Sequence, residues 1–260
     1  MSNNYLFAEA TEERQRLQAL EFLLDPGTQD VLRPLVAHGA RRVLEVGAGA
    51  GSIARWLSSA VGADGSVTAV DIDIEPLTTV ELPPNVTPVR MDIASEQPER
   101  DAYDMVHARY VLEHVADRDA ALQHMIAALR PGGWLVIETS DPLTAWLGLP
   151  AHPAVTTLRA AFDQTFDDAG GDSYFGRDLP RRLTDHGLTD VQGNARAQFI
   201  PGWTSPEATS YRMSVRNVAD RLVRTGLIAE DMITEALTVL ETSESPFLNH
   251  LTISAWGRKP

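Results

Sequence analysis

The sequence predicts an α/β fold: a doubly wound, mostly parallel seven-stranded sheet with added helical segments. Three observations carry this. Apolar strand-like runs alternate with helical periodicity from residue 42 to 140. The first run leads straight into a turn with glycine at alternate positions, in Arg42–Ser52, RVLEVGAGAGS. After residue 140 the alternation gives way to Pro-, Gly- and aromatic-rich sequence with further helices.

Composition bounds the problem. The chain has 260 residues, enough for one large domain with sizeable insertions. It is 43% hydrophobic and 22% charged, in the ordinary globular range. The formal net charge is −14, with no basic face of the kind a nucleic-acid binder needs. There is no cysteine, which excludes disulfides, thiolate metal sites and thiol catalysis. No apolar run approaches a membrane span, and the first residues lack the charged-then-apolar order of a signal peptide. The expectation is a cytoplasmic protein with no membrane or nucleic-acid partner and no metal; a homodimer is left open.

Residues 8–24 have helical spacing through Leu17, Leu20 and Leu24, and Asp25-Pro26-Gly27 is expected to end that helix. A second short helix follows to Val36, kinked or broken by Pro34. Strand one is Arg42–Val46. Ser52–Ala60 is a helix with Ile53, Trp56 and Leu57 on one face, and Gly62–Gly65 is a turn. Strand two is Val67–Val70, ending at Asp71. Strand three is Val86–Met91, ending at Asp92. Tyr103–Ala108 is strand four. Asp117 or Asp119 starts a helix bearing Leu122, Met125, Ile126 and Leu129, which Pro131-Gly132-Gly133 stops before strand five, Trp134–Glu138.

Beyond, helices are expected over 154–166, over Leu179–His186 and, in two pieces broken near Gly226, over 206–241. Val191–Phe199 reads as a sixth strand and Leu248–Trp256 as the last. The organisation expected is one domain. Residues 1–40 form an N-terminal helical lid. Residues 41–140, 179–200 and 246–260 form the α/β core. Residues 141–178 and 201–245 are insertions over a substrate.

The glycine turn differs from the dinucleotide fingerprint G-x-G-x-x-G: here Gly47, Gly49 and Gly51 give G-x-G-x-G, and Glu45 precedes them. With the strand ends that follow, the chain resembles the class I S-adenosylmethionine-dependent methyltransferases, and bacterial small-molecule, secondary-metabolite types in particular. VLEVGAGAG matches the first motif of that family. VTAVDID, VRMDI, YDMVHARYVLEHV and LRPGGWLVIE match the strands after it, and GRDLPRRLTDHGL and SAWGRKP continue the likeness weakly. The resemblance implies a Rossmann-like sheet with an antiparallel last strand and S-adenosyl-L-methionine as cofactor.

It also implies roles. Asp71 is placed on the ribose hydroxyls with Ile72 beside it, and Asp92 on the adenine amine with the Ile93 amide on a ring nitrogen. Glu45 and the backbone of Gly47, Ala48, Gly49 and Gly51 serve the ammonium end, and Ala108 and Arg109 lie where the methionine tail passes. Chemistry agrees: a carboxylate accepts from both ribose hydroxyls, and an ionised one is a strong acceptor. Glu45 could instead pair with Arg41 or Arg42.

Methyl transfer is an in-line displacement that needs a base only if the acceptor must lose a proton. Candidates are His107, His114, Glu138 and Asp141, the last two following strand five. Tyr5, Tyr110, Trp146, Phe175, Trp203 and Tyr211 are the candidate contacts to an apolar or aromatic acceptor methylated on O, N or C. A cyclase or isomerase that binds the cofactor without transferring its methyl is the alternative.

Overall fold

The computed structural model describes residues 10–260, with side-chain environments from residue 15. Its elements are α1 (Ala10–Ala37), β1 (Arg42–Val46), α2 (Ser52–Val61), β2 (Ser66–Asp71), α3 (Glu75–Thr78), β3 (Val86–Arg90), β4 (Tyr103–Arg109), α4 (Arg118–Ala128) and β5 (Leu129–Asp141). They continue with α5 (Pro153–Asp168), α6 (Leu179–Asp185), β6 (Thr189–Arg196), β7 (Phe199–Ile200), α7 (Thr209–Arg224), α8 (Glu230–Glu241), β8 (Phe247–Leu248) and β9 (Leu251–Arg258).

Seven strands form one sheet in the order β3-β2-β1-β4-β5-β9-β6. β1 pairs in parallel with β2 and with β4, so the strand order reverses at β1. Open α/β sheets bind ligands outside the carboxyl ends of the strands at such a switch point. β9 runs against β5: Gly132 N–H donates to Lys259 O at 2.8 Å, and Lys259 N–H to Gly133 O at 2.9 Å.

The edge strand β6 is mostly exposed, but both faces of the central strands β1, β4 and β5 are buried, as parallel strands require. Side chains alternate between them. Leu44, Val46, Val106, Ala108, Leu135 and Ile137 pack with Leu122 and Met125 of α4 and Leu179 and Leu183 of α6. Val43, Val67, Ala69, Met105 and Val136 share the other core with Leu32, Leu35 and Val36 of α1 and Ile53, Ala54 and Leu57 of α2. Asp117 caps α4 by accepting from Ala120 N–H at 3.0 Å, which settles the choice between Asp117 and Asp119.

Three expectations are corrected. α1 is one unbroken helix that passes through Asp25-Pro26-Gly27 and Pro34. An interior proline loses a backbone hydrogen bond and costs about 3 kcal/mol. Here Leu24, Thr28, Val31, Leu32, Leu35 and Val36 lie along one buried helical face, and their burial outweighs that cost.

The sixth strand ends at Arg196, and Phe199–Ile200 pairs instead with β8, antiparallel. The last strand is likewise split into β8 and β9. Asn249, between them and 2% exposed, causes the break. Its N–H donates to Gln198 O at 3.0 Å. Its Oδ1 accepts from Gln198 N–H at 2.8 Å. A side chain thus takes the place of a ladder partner.

The chain divides into two compact units. Residues 24–140, 174–195 and 252–260 form the α/β unit. Of the described residues, 10–23, 141–173 and 196–251 form the other. Residues 24–40 and 174–178 therefore fall in the α/β unit, and 196–200 and 246–251 outside it. Within the second unit α5 packs on α7 and α8. Its aromatic centre joins Trp146, Trp203, Phe247 and Tyr211, with ring centroids 5.5–6.0 Å apart.

Candidate active site

The glycine turn is fixed by its backbone. Gly47 N–H donates to Val70 O at 2.8 Å and Ala48 N–H to the same oxygen at 3.1 Å, locking the end of β1 to the end of β2. Gly47, Gly49 and Gly51 have φ of 70°, 55° and 81°. All three lie in the left-handed region, which explains glycine at alternate positions. A Cβ on Gly47 would sit 2.1 Å from Val111 Cγ2, and one on Gly51 2.7 Å from Leu77 Cδ2.

Asp71 closes this turn. Its Oδ2 accepts from Gly49 N–H at 2.9 Å and its Oδ1 from Asp73 N–H at 3.2 Å. Burial raises its carboxyl above the ordinary value, against the pull of these backbone donors. A carboxylate offers about four lone-pair sites, so two accepted bonds leave room for a diol. Ile72 beside it is 45% exposed, an unusual position for a large aliphatic side chain. Asp92 is exposed and organises its own turn, accepting from Ala94 N–H and Ser95 Oγ–H, each at 3.0 Å. Ile93 is buried, and its carbonyl faces His124 Nδ1 at 2.8 Å. Met91 N–H donates to Asp71 O at 2.9 Å, so the ends of β2 and β3 carry both acids in one fixed arrangement.

Ala108 is buried at the end of β4. Arg109 turns to α1, 2.9 Å from Asp25 Oδ1 and donating to Thr28 Oγ1 at 3.0 Å. Tyr110 has φ 55°. Its N–H donates to Glu138 O at 2.8 Å, and its hydroxyl pairs with Thr252 Oγ1 at 2.7 Å. Burial pushes that phenol up to about 12, so it stays neutral.

A row of polar side chains crosses the sheet below the turn. Glu45 Oε2 is 2.7 Å from His107 Nδ1. His107 Nε2 is 3.5 Å from Glu138 Oε2. Ser254 Oγ–H donates to Glu138 Oε1 at 2.6 Å. Glu45, His107, Glu138 and Ser254 are all 3% exposed or less, and they come from the neighbouring strands β1, β4, β5 and β9. Burial alone would lower the imidazole, but the flanking carboxylates hold it up at about 9. Arg41 and Arg42 are occupied elsewhere, on Val61 O and Glu99, so the alternative pairing for Glu45 is not made.

The candidate bases lie in different settings. His107 is fully buried with a carboxylate at each ring nitrogen, leaving none to face an acceptor. Asp141, 1% exposed, caps the turn Pro142–Thr144, its Oδ1 accepting from Leu143 N–H at 2.8 Å. His114 ends the short turn Leu112–His114.

Among the acceptor candidates, Tyr5 lies outside the described residues. Phe175 lies in the core of the α/β unit, 2% exposed, beneath the Arg182 guanidinium at 5.0 Å. Trp146, Trp203 and Tyr211 belong to the other unit. Trp203 Nε1–H there is buried without a hydrogen-bond partner among the described residues.

Sequence reasoning missed Glu113 and His250. Glu113, 1% exposed, accepts from both Ser140 N–H (3.0 Å) and Ser140 Oγ–H (3.1 Å), tying the segment after β4 to the end of β5. Burial pushes its carboxyl up to about 7. His250 stacks on Tyr211 at 5.5 Å, with Nδ1 3.0 Å from the Tyr211 hydroxyl, and burial pushes it down to about 4. Glu113 stands inside YDMVHARYVLEHV, beside the candidate base His114, and His250 sits in no motif. His250, Thr252 and Ser254 fall at alternate positions of the expected last strand, Leu248–Trp256.

A glycine turn at the switch point, an acid at the end of β2 and a second acid after β3 define a class I S-adenosylmethionine-dependent methyltransferase domain. The chain belongs to that family: the methyltransferase-domain family model matches residues 4–193, and S-adenosyl-L-methionine is its cofactor. Methyltransferase str2 of Strobilurus tenacellus is 28% identical over 176 residues, 67% of this chain and 63% of the relative. The ubiquinone/menaquinone biosynthesis C-methyltransferase UbiE of Idiomarina loihiensis is 35% identical over 53% of this chain and 65% of its own length. The chain thus spans slightly under two thirds of these relatives. Haemonchus contortus phosphoethanolamine N-methyltransferase 2, solved with S-adenosyl-L-methionine, shares the fold at TM-score 0.60 and 15% identity, covering 100% of this chain and 60% of that one. No helix among the described residues is long and apolar enough to cross a membrane.

Proposed function

We propose that this protein transfers a methyl group from S-adenosyl-L-methionine to O, N or C of an apolar or aromatic small molecule, an intermediate of natural-product synthesis. One observation carries the reading: a left-handed glycine turn bolted to the end of β2 through Asp71. That arrangement fits the cofactor. Side chains are stripped from the turn, a carboxylate with spare acceptor capacity stands at its edge, and an exposed aliphatic, Ile72, offers a flat apolar contact for an adenine.

Asp71 takes the ribose hydroxyls and Asp92 the adenine amine, with the Ile93 amide on a ring nitrogen. Glu45 and the Gly47 carbonyl take the ammonium, and Ala108 and Arg109 line the methionine tail. The bound cofactor supplies an activated sulfonium methyl. The protein therefore has chiefly to orient the acceptor and exclude water. No side chain is assigned as base. Trp146, Trp203 and Tyr211 are the side chains proposed to recognise the acceptor, with the Trp203 indole N–H as a polar handle. The names of the relatives, which include a quinone-biosynthesis C-methyltransferase, support a small-molecule acceptor.

The test uses methyl-tritiated cofactor with a panel of apolar phenols, amines and quinol-like carbon nucleophiles. The expected result is label in an organic-extractable product, with one S-adenosylhomocysteine formed per product. Conversion of an acceptor with no S-adenosylhomocysteine would favour the cyclase or isomerase reading instead.

A further inference from the structure

The buried row Glu45–His107–Glu138–Ser254 is more elaborate than a strand core needs. Burying three ionisable groups is costly unless each is paired, and an apolar row of the same volume would pack at no such cost. The row also begins two residues before Gly47, at the carboxylate assigned to the cofactor's ammonium.

We propose that His107 is a positioning residue: clamped between Glu45 and Glu138, it fixes the Glu45 carboxylate with one oxygen engaged and the other reserved for the cofactor's ammonium. The inference rests on the cofactor reading above. Glu45 Oε2 is taken by His107 Nδ1 at 2.7 Å. Its Oε1 has no hydrogen bond among the described residues. On the far side Ser254 Oγ–H holds Glu138 Oε1 at 2.6 Å, which leaves Oε2 turned to His107 Nε2 at 3.5 Å.

Charge balance supports the same conclusion. A carboxylate faces each ring nitrogen, and a neutral imidazole has only one N–H to offer. With a proton on each ring nitrogen the imidazolium offsets one of the two carboxylates, and the row keeps one negative charge. A single cation placed at Glu45 neutralises it. The ammonium of the cofactor is such a cation, and His107 cannot supply the same charge twice.

Two ligands separate this role from general support of the fold. S-adenosylhomocysteine carries the ammonium; 5′-methylthioadenosine keeps the adenosine and the thioether but lacks the amino-acid end. Calorimetry on wild type, His107→Asn and Glu138→Gln reads both. The expected result is a loss of about tenfold or more in S-adenosylhomocysteine affinity for His107→Asn, a smaller loss for Glu138→Gln, and unchanged binding of methylthioadenosine. Long-range ¹H–¹⁵N spectra of wild type should show both His107 ring nitrogens protonated at neutral pH.

Parallel weakening of the two ligands, or no weakening of either, overturns the proposal, as does an imidazole that titrates in the ordinary range. If His107→Asn does not fold, Glu138→Gln makes the same comparison alone. A wild type that binds neither ligand would overturn the cofactor reading itself, which distinguishes the two failures.

Discussion

Glu113 gives a prediction with its size fixed by the structure. Its carboxyl is 1% exposed, with Oε1 held by Ser140 and Oε2 buried without a hydrogen bond among the described residues. Burial raises it from an ordinary 4.5 to about 7. Near pH 4.5 the unfolded chain begins to release this proton while the folded chain keeps it. Stability therefore falls as pH rises from 4.5 until the folded carboxyl also ionises near 7, and is flat above.

The full penalty is about 3 kcal/mol, of which about 2–3 kcal/mol develops between pH 5 and pH 8. Glu113→Gln keeps an oxygen for Ser140 and cannot ionise. Urea unfolding of both proteins at pH 5 and pH 8 isolates this group, because every other titration is common to the two. The variant should gain about 2–3 kcal/mol on wild type over that interval. A stability difference that is the same at both pH values would refute the assignment of a raised, desolvated carboxyl.

The remaining predictions concern the turn and the second unit. Gly47→Ala must put a Cβ at 2.1 Å from Val111 Cγ2 with φ at 70°. It should destabilise the protein by about 2–4 kcal/mol in chemical unfolding, overpacking and left-handed strain together. Adding Val111→Ala should recover the overpacking share only, so full recovery would contradict the strain argument. Tyr211→Phe removes the oxygen that accepts from His250 N–H at 2.8 Å and pairs with His250 Nδ1 at 3.0 Å. It should cost about 1–3 kcal/mol by thermal unfolding; unchanged stability would show that water or a neighbour replaces the hydroxyl.

The α/β part of the fold was legible because its signals are local. Apolar runs ending in Gly47, Asp71 and Asp92 mark strand ends, and Asp117 marks a helix start. What could not be read depended on partners remote in sequence. Pro26 and Pro34 are strong local breakers, yet α1 runs through both because its buried face is set by the sheet it lies on. Asn249 is an ordinary polar residue in the sequence, and it divides two strands only because Gln198 lies opposite.

The site divides in the same way. The turn and its two acids stand in the motif strings. The His107 clamp needs four strands in register before Glu45, Glu138 and Ser254 meet, so from sequence alone His107 looked like a base. Phe175 looked like its fellow aromatics until the turn Phe175–Asp178 placed it in the core under Arg182.

The central claim is that Asp71, at the end of β2, binds the cofactor's ribose. Calorimetric titration of S-adenosylhomocysteine into wild type and Asp71→Asn tests it most directly. The amide keeps one oxygen for Gly49 N–H and gives up only the longer bond from Asp73 N–H, so most of the turn is retained while the charge is lost. Wild type should bind one molecule per chain, and the variant should bind about tenfold or more weakly with its melting temperature nearly unchanged. Equal affinity in the two proteins would contradict the assignment.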